Sequence, residues 1–313
     1  MATFMERYLE HKATMIRPNS LIAYRESIQS YIVPRLGKIP LSKLTPRHVQ
    51  ELYAFMRAKP VNSRTIRHAH AVLHNALDYA IKWGALTRNV TDAVDPPRIE
   101  RRKATVWTLE QALGFLEINR EHDPLCWIGF YLAVMTGMRQ GEIFGLRWSD
   151  IDFERGYLHV QQTVSWSSGH PVFQEPKTDS SRRAIAITED DIKVLQSHRV
   201  AQSERRLRAG KAYHDLDLVI CLEDGSPMGQ RRFSRAWHRA LERAGYPNMR
   251  FHDLRHTHAS LLLERDVHLK IVSERLGHSA ISITADLYTH VLPGIQKRAA
   301  DTLGAAIRSI QKR

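Results

Sequence analysis

Apolar residues recur at three- and four-residue intervals along most of this chain, the spacing of one face of a helix. Thr3 to Lys12 predicts a short amphipathic helix. Pro18-Asn19-Ser20 starts a second, whose apolar positions Leu21, Ile22, Ile28 and Ile32 lead to Pro34 and Gly37. Thr45-Pro46 opens a third, through Val49, Leu52, Tyr53 and Met56. A fourth runs from about Asn62 to Trp83 and stops at Gly84. Its apolar face is Ile66, Ala69, Leu73, Leu77, Ala80 and Ile81, and Arg64, Arg67, His68 and Lys82 lie away from that stripe.

The helical pattern breaks at DAVDPPRIERRKA, residues 92–104. Two prolines, a basic run and little apolar content predict a linker there. Beyond it the pattern is mixed. Thr108-Leu109-Glu110-Gln111 is a capping-box start, Asp123 begins an apolar helix ending near Thr136-Gly137, and Arg139 to Leu146 is another. Tyr157 to Val164 alternates like a strand, SWSSGH turns the chain, His170 to Glu175 can return, and Arg183 to Thr188 is a third strand. Asp217 to Leu222 is a short apolar run that predicts a buried segment. Helical spacing resumes over 189–209, 228–245, 252–264 and 268–276, with a tail from about Gly294. The expected class is α+β and mostly helical: helices alone in the first third, then a mixed part with a small antiparallel sheet.

The 313-residue length suits two domains, and 43% hydrophobic with 25% charged residues is ordinary globular composition. Charge changes the picture. The net charge is +13 and the sequence pI about 9.9, which favours a polyanionic partner: nucleic acid first, an anionic membrane second. Residues 1–98 carry 15 Lys+Arg against 7 Asp+Glu, a net of +8; residues 99–313 carry 31 against 26, a net of +5. The positive density of the first third tilts Arg64, Arg67, His68 and Lys82 toward phosphate contact rather than a merely solvated face. Cys126 and Cys221 form no disulfide framework and no C-x-x-C, as in a reducing, cytoplasmic setting. ATFMERYLEHK is too charged for a signal peptide, and Leu125 to Met135 is too short to span a bilayer, so no membrane role is expected.

The densest chemistry is FHDLRHTHAS, residues 251–260. His252-Asp253-Leu254-Arg255-His256 is a variant of the zinc-hydrolase pattern H-E-x-x-H. Arg255 shares a helix face with His252, however, and a fixed cation beside a divalent metal is unfavourable; no third ligand appears at a suitable spacing. The expectation is therefore no metal. That face suits an anion instead, because arginine presents a planar fork to phosphate oxygens and histidine exchanges protons near neutral pH. His256 and His258 are expected to support this face rather than to take part. Further cations stand at element ends. TGMRQGEIFGLRW places Arg139 after a glycine turn at a helix start, with Glu142 three residues on to orient it. Lys177 lies in a polar loop, His278 follows Gly277 at a helix end, and Tyr288 lies ten residues later; alone, Lys177 reads as a surface residue and Tyr288 as a packing one.

In order, Arg139, Lys177, His252-x-x-Arg255, His278 and Tyr288 make a pattern that resembles the tyrosine recombinases, the phage-type integrases. The words TGMRQGEI, FHDLRHTHAS, LGHSAISIT and LYTHV match as well, and the resemblance covers about residues 105–292. It implies residues 1–91 as a helical core-site DNA-binding domain, 92–104 as linker, 105–292 as the catalytic domain and 293–313 as a helical tail, the two domains forming a clamp around DNA. It implies cleavage of attachment-site DNA by Tyr288 through a 3′-phosphotyrosyl link, without ATP, metal or other cofactor. Arg139 and Arg255 would bind the non-bridging oxygens, His278 would add a hydrogen bond, Lys177 would protonate the leaving 5′-oxygen, His252 would assist proton transfer from Tyr288, and Glu142 would support the arginines.

The resemblance also implies a homotetramer in the synaptic complex, a directionality factor or DNA-bending protein as helper, and a bacterial host or phage setting. Arg231, Arg235, Arg239 and Arg243, four apart, form a second candidate phosphate-facing row. Ile295, Ala299, Leu303, Ile307 and Ile310 form an apolar stripe on the tail, expected to dock on a neighbouring protomer or to fold back. Many phage and transposon integrases carry a further small N-terminal domain; this chain opens almost directly on the core-binding helices, as a simpler recombinase or a shortened one would. Type IB topoisomerase-like relaxation is the main alternative activity, and a DNA-binding regulator without catalysis the main alternative class.

Overall fold

The computed structural model describes residues 1–99, 105–167, 169–176 and 181–288, with 300, 301, 303, 304, 307 and 308 of the tail. The chain divides into two compact units, Met1–Lys103 and Ala104–Arg313.

The first unit is helical: α1 (Ala2–Ala13), α2 (Pro18–Ser27), α3 (Val33–Leu36), α4 (Pro46–Arg57) and α5 (Ser63–Lys82). The sequence predicts one helix from Pro18 toward Gly37, but α2 and α3 are separated by a π-helical turn, Ile28–Ile32. Pro34 supplies the reason. It has no N–H for the Ser30 carbonyl and its ring crowds that group, so the helix widens before it. Lys59 Nζ approaches the Ser30 oxygen instead, at 3.4 Å. Asn62 caps α5 by accepting from the Thr65 amide at 2.9 Å. The α5 positions Ile66, Ala69, Leu73, Leu77 and Ala80 are buried as their spacing predicts, joined by Val72 and Ala76, against Met5, Tyr8, Ile32, Leu52 and Met56. Ile81 stays at the edge.

The second unit is built on α6 (Leu109–Asn119), α7 (Pro124–Thr136), α10 (Gln230–Ala244) and α11 (Asp253–Leu263), which surround an aromatic core. Phe115 meets Trp237 at 5.1 Å between ring centroids, and Phe233 meets Phe251 edge-on at 4.9 Å. Each such side chain, fully buried, contributes about 2–3 kcal/mol. Trp237 is buried without a lost hydrogen bond, since Nε1 donates to the Met249 carbonyl at 2.7 Å. The sides of α7 are almost wholly buried, which is why its apolar residues run all round it.

The sheet differs from the expected one. Tyr157 to Val164 is not a single strand. β2 (Tyr157–Val160) pairs antiparallel with β1 (Ile151–Asp152) and β5 (Arg183–Ala186), Leu158 lying opposite Ile151 and Ile185. β3 (Thr163–Ser167) pairs with β4 (His170–Gln174) in a separate hairpin. The break lies beside α8 (Gln140–Gly145). Gln162 Nε2 donates to the Gly145 carbonyl at 2.8 Å, and a Cβ on Gly145 would come within 3.0 Å of the Gln162 oxygen. This close approach holds the chain to α8 and redirects it, so β3 leaves the first sheet. The run from Asp217 to Leu222 is buried at Leu218, Val219, Ile220 and Cys221, and the Val219 amide donates to the Leu146 carbonyl at 2.9 Å.

α9 (Glu189–Ala209), α12 (Leu269–Leu276) and α13 (Ile281–Tyr288) complete the unit. Among the described residues, no helix is long and apolar enough to cross a membrane.

Candidate active site

The site is assembled at the carboxyl ends of two helices. A helix end leaves its last carbonyls without partners and carries a partial negative charge. At the end of α7 the Val134, Met135 and Gly137 carbonyls accept from His258 Nδ1 at 2.8 Å, Arg275 Nη2 at 3.0 Å and Arg255 Nη1 at 2.8 Å. At the end of α12 the Arg275, Leu276 and Gly277 carbonyls accept from Arg183 Nε at 2.6 Å, Arg255 Nη2 at 2.6 Å and Arg139 Nη2 at 3.1 Å. Arg255 thus joins the two ends. Gly137 has φ +66°, and a Cβ there would lie 2.7 Å from the His258 ring and 2.8 Å from Leu276. The glycine of TGMR is required both for the turn and for the space.

Glu142 supplies the carboxylate of this cluster. It accepts from the Arg139 amide at 2.9 Å and from Arg139 Nη1 at 2.7 Å. Arg183 meets its other side, Nη2 to Oε2 at 2.8 Å and Nη1 to Oε1 at 3.3 Å. Burial alone would raise the Glu142 pKa; the hydrogen bonds and charge of Arg183, and then of Arg139, outweigh it and hold the carboxyl below the usual range. Arg183 and Glu142 are buried, whereas the Arg139 side chain is 38% exposed. Arg139 therefore keeps a face open for a ligand.

The histidines are driven neutral by their surroundings. His252 is the residue before α11, in helical conformation (φ −62°, ψ −22°), so it stays in phase with Arg255 and His256. The residue is exposed at its surface, yet partial loss of solvent, then His256 and Arg255, pushes its pKa down to about 4, and its ring meets that of His256 edge-on at 5.6 Å. His278 is pushed down to about 4 by burial and then by Arg255 and Arg139. Its Nδ1 meets the buried Thr284 hydroxyl at 2.7 Å, leaving Nε2 for another partner. His258 goes down to about 3, through burial and the adjacent Arg275, whose Nε donates to His258 Nε2 at 3.1 Å. His258 is thus a neutral bridge between α7 and Arg275.

The structure brings Arg139, Glu142, His252, Arg255 and His278 into one cluster, and Tyr288 closes α13 directly after it. Lys177 lies outside the described residues, as do Ile295, Ala299 and Ile310 of the tail stripe; Leu303 and Ile307 are exposed. Among the described residues no three His, Cys, Asp or Glu side chains stand together as metal ligands.

In the first unit Arg64, Arg67 and Lys82 are exposed, while His68 is half-buried with its ring edge-on to Tyr24 at 6.0 Å. On α10, Arg231, Arg235 and Arg239 are exposed opposite the buried Phe233, Ala236, Trp237 and Ala240, whereas Arg243 is tied to Asn119.

Sequence reasoning missed Arg183, Arg275 and Thr284. Arg183 left a signal: with Ile185 it lies on the inward face of β5, in step with Ile187 just beyond the strand, where a charge needs a buried partner. Arg275 left none, because its partners are the carbonyls and the histidine of distant elements, and Thr284 left none, because a threonine in an apolar helix start reads as a packing residue.

One guanidinium with an open face, that of Arg139, a second and buried one beside it, that of Arg255, neutral imidazoles and no free carboxylate among them suit a phosphate diester. Residues 109–294, more than half of the chain, match the phage integrase family, and residues 1–57 match the phage integrase N-terminal SAM-like domain. The chain belongs to the phage integrase family. Enzymes of this family, the tyrosine recombinases, cleave and rejoin DNA strands. A tyrosine recombinase XerC-like protein of Caldanaerobacter subterraneus subsp. tengcongensis is 34% identical over 307 residues, covering 92% of this chain and 78% of the relative. The fold is that of the Tn1549 transposon integrase in complex with transposon right end DNA, at TM-score 0.79 and 20% identity over 96% of this chain and 99% of that one. It is also that of a lambda integrase tetramer bound to a Holliday junction, at TM-score 0.69 and 21% identity over 91% and 76%. The mostly helical α+β class with small antiparallel sheets, expected from the hydrophobic pattern, is the class of these integrases.

Proposed function

We propose that this recombinase integrates and excises a mobile element, cleaving double-stranded attachment sites with Tyr288 as its nucleophile. The observation that carries the reading is the convergence of Arg139, Arg255 and His278 on the carboxyl end of α12, with Tyr288 one short helix further on. Attack by the Tyr288 phenolic oxygen on the scissile phosphorus forms a tyrosyl ester to the 3′ strand and breaks the bond to the 5′-oxygen. His252, neutral at physiological pH, takes the phenolic proton, and Lys177 gives a proton to the leaving 5′-oxygen. Arg139 and Arg255 hold the non-bridging oxygens. His278, its Nδ1 accepting from Thr284, donates from Nε2 to the same phosphate. Resealing runs these steps backwards with a 5′-hydroxyl from another strand, so the bond energy is kept and ATP is not needed.

The +8 charge of residues 1–98 and the exposed Arg64, Arg67 and Lys82 support a helical domain that contacts the duplex. The lambda integrase tetramer on a Holliday junction supports assembly as a homotetramer on DNA; docking through the tail, a directionality factor or bending protein, and action in the bacterial cytoplasm complete the proposal.

Nicked duplexes with a randomised core, incubated with the protein in EDTA, test this. The expected product is a protein–DNA adduct that survives detergent and is absent with Tyr288→Phe, followed by strand exchange between two duplexes. Adduct and relaxation without exchange would mean a topoisomerase-like activity. Binding without adduct would mean a regulator, and a requirement for zinc would overturn the metal-free chemistry.

A further inference from the structure

We infer that Arg183, through Glu142 and the end of α12, sets the positions of Arg139, Arg255 and His278 and is a positioning residue for phosphoryl transfer. The inference rests on the recombinase reading above. The Arg183 side chain is only 6% exposed, and the hydrogen bonds of its guanidinium all run to protein groups. Its guanidinium reaches partners on two other elements. Nη1 and Nη2 hold the two oxygens of Glu142 on α8, and Nε holds the Arg275 carbonyl on α12. Each of these bonds leads to a phosphate-facing group. Glu142 carries the Arg139 guanidinium and backbone amide. The carbonyl after Arg275, that of Leu276, holds Arg255; the next, that of Gly277, holds Arg139; His278 follows.

Both routes to Arg139, and the α12 bond of Arg255, therefore pass through one buried fork. It stands at the start of β5, six residues after Lys177 in sequence, with Nη1 bonded to the Ser181 carbonyl at 3.2 Å. A lysine cannot replace it, because one ammonium cannot span Glu142 and the Arg275 carbonyl in a fixed plane.

The test uses the full-length protein and a duplex recovered from the randomised nicked pool, comparing Arg183→Lys and Glu142→Gln with wild type. A displacement of about 1 Å at a reacting centre costs roughly 100-fold. Arg183→Lys is expected to slow single-turnover adduct formation about 100-fold, with unchanged amplitude and a DNA Kd within about threefold. Glu142→Gln is expected to slow it less, because the amide keeps part of the hydrogen bonding. In a double-mutant cycle with Arg139→Lys, the two losses should fall well short of multiplying, since one acts through the other.

A rate within about threefold of wild type would overturn the proposal. So would a loss confined to amplitude and thermal stability, which is the mark of a structural role, or fully multiplicative losses. Wild-type protein that binds DNA but forms no adduct would instead refute the recombinase reading on which the proposal stands.

Discussion

His258 gives the sharpest test of how the site is held together. Its Nδ1–H donates to the Val134 carbonyl at 2.8 Å, and Nε2 accepts from Arg275 Nε at 3.1 Å. Protonation would remove that acceptor and set two cations against each other in a buried place, so its pKa is pushed down to about 3. Against an unfolded value of about 6.5, this is a depressed pKa. The stability it brings is complete above pH 6.5 and is lost as pH falls from there toward 3. One proton taken up on unfolding is worth about 1.4 kcal/mol per pH unit, so His258 alone should cost the second unit about 2 kcal/mol between pH 7 and pH 5. His252 and His278 shift in the same direction, but each meets solvent and adds less.

Five of the six tryptophans, all but Trp83, lie in the second unit, so fluorescence during urea unfolding reports on it. At a slope of about 2 kcal/mol per molar urea, the wild-type midpoint should fall by about 1 M from pH 7 to pH 5. His258→Gln should start lower at pH 7, because one of the two hydrogen bonds is compromised. It should then lose about 2 kcal/mol less on acidification. Parallel declines of wild type and variant would show that His258 is not the group whose protonation opens the fold.

Gly137→Ala forces a side chain into a left-handed backbone conformation and against the His258 ring. It should destabilise the second unit by about 2 kcal/mol or more in the same assay, and a loss under about 0.5 kcal/mol would contradict the packing described. Arg255→Lys should reduce the rate of adduct formation by about 10²–10³-fold while duplex binding changes little, measured by single-turnover cleavage and gel shift. Replacing Arg231, Arg235 and Arg239 by alanine should flatten the dependence of log affinity on log salt by about 0.9 for each phosphate that is no longer neutralised; an unchanged slope would mark the row as a solvated stripe.

Helices were legible wherever one face alone is buried. The α5 stripe from Ile66 to Ala80 states its own burial because a helix presents every third or fourth residue to one side. The strand from Tyr157 to Val164 was not legible in the same way. Alternation continues through Gln161 and Gln162, and only the approach of Gly145, from α8, shows that the chain changes sheets there. The π-helical turn before Pro34 has a local cause, but helical spacing alone does not separate a widened turn from a regular one. In the site, side-chain identity shows which residues can bind phosphate, whereas their arrangement depends on backbone carbonyls. The Gly277, Leu276 and Gly137 carbonyls that hold Arg139 and Arg255 belong to no residue type, so a sequence does not display them.

Those carbonyls also answer how like charges can be packed together and still act on an anion. Arg275 faces Asp191, which offsets it. Arg139, Arg183 and Arg255 remain, against one carboxylate and two helix ends of about half a negative charge each. Roughly one positive charge is left over. That surplus adds to burial, the larger cause, in keeping His252 and His278 neutral, and so leaves His252 able to accept a proton. A phosphate diester carries one negative charge and its pentavalent transition state more, so a site with surplus positive charge binds the second better than the first. Differential binding of that kind accelerates the reaction. A fully neutralised site would bind duplex and transition state alike. By this reasoning an added carboxylate near Arg139 should slow cleavage even where it strengthens the fold.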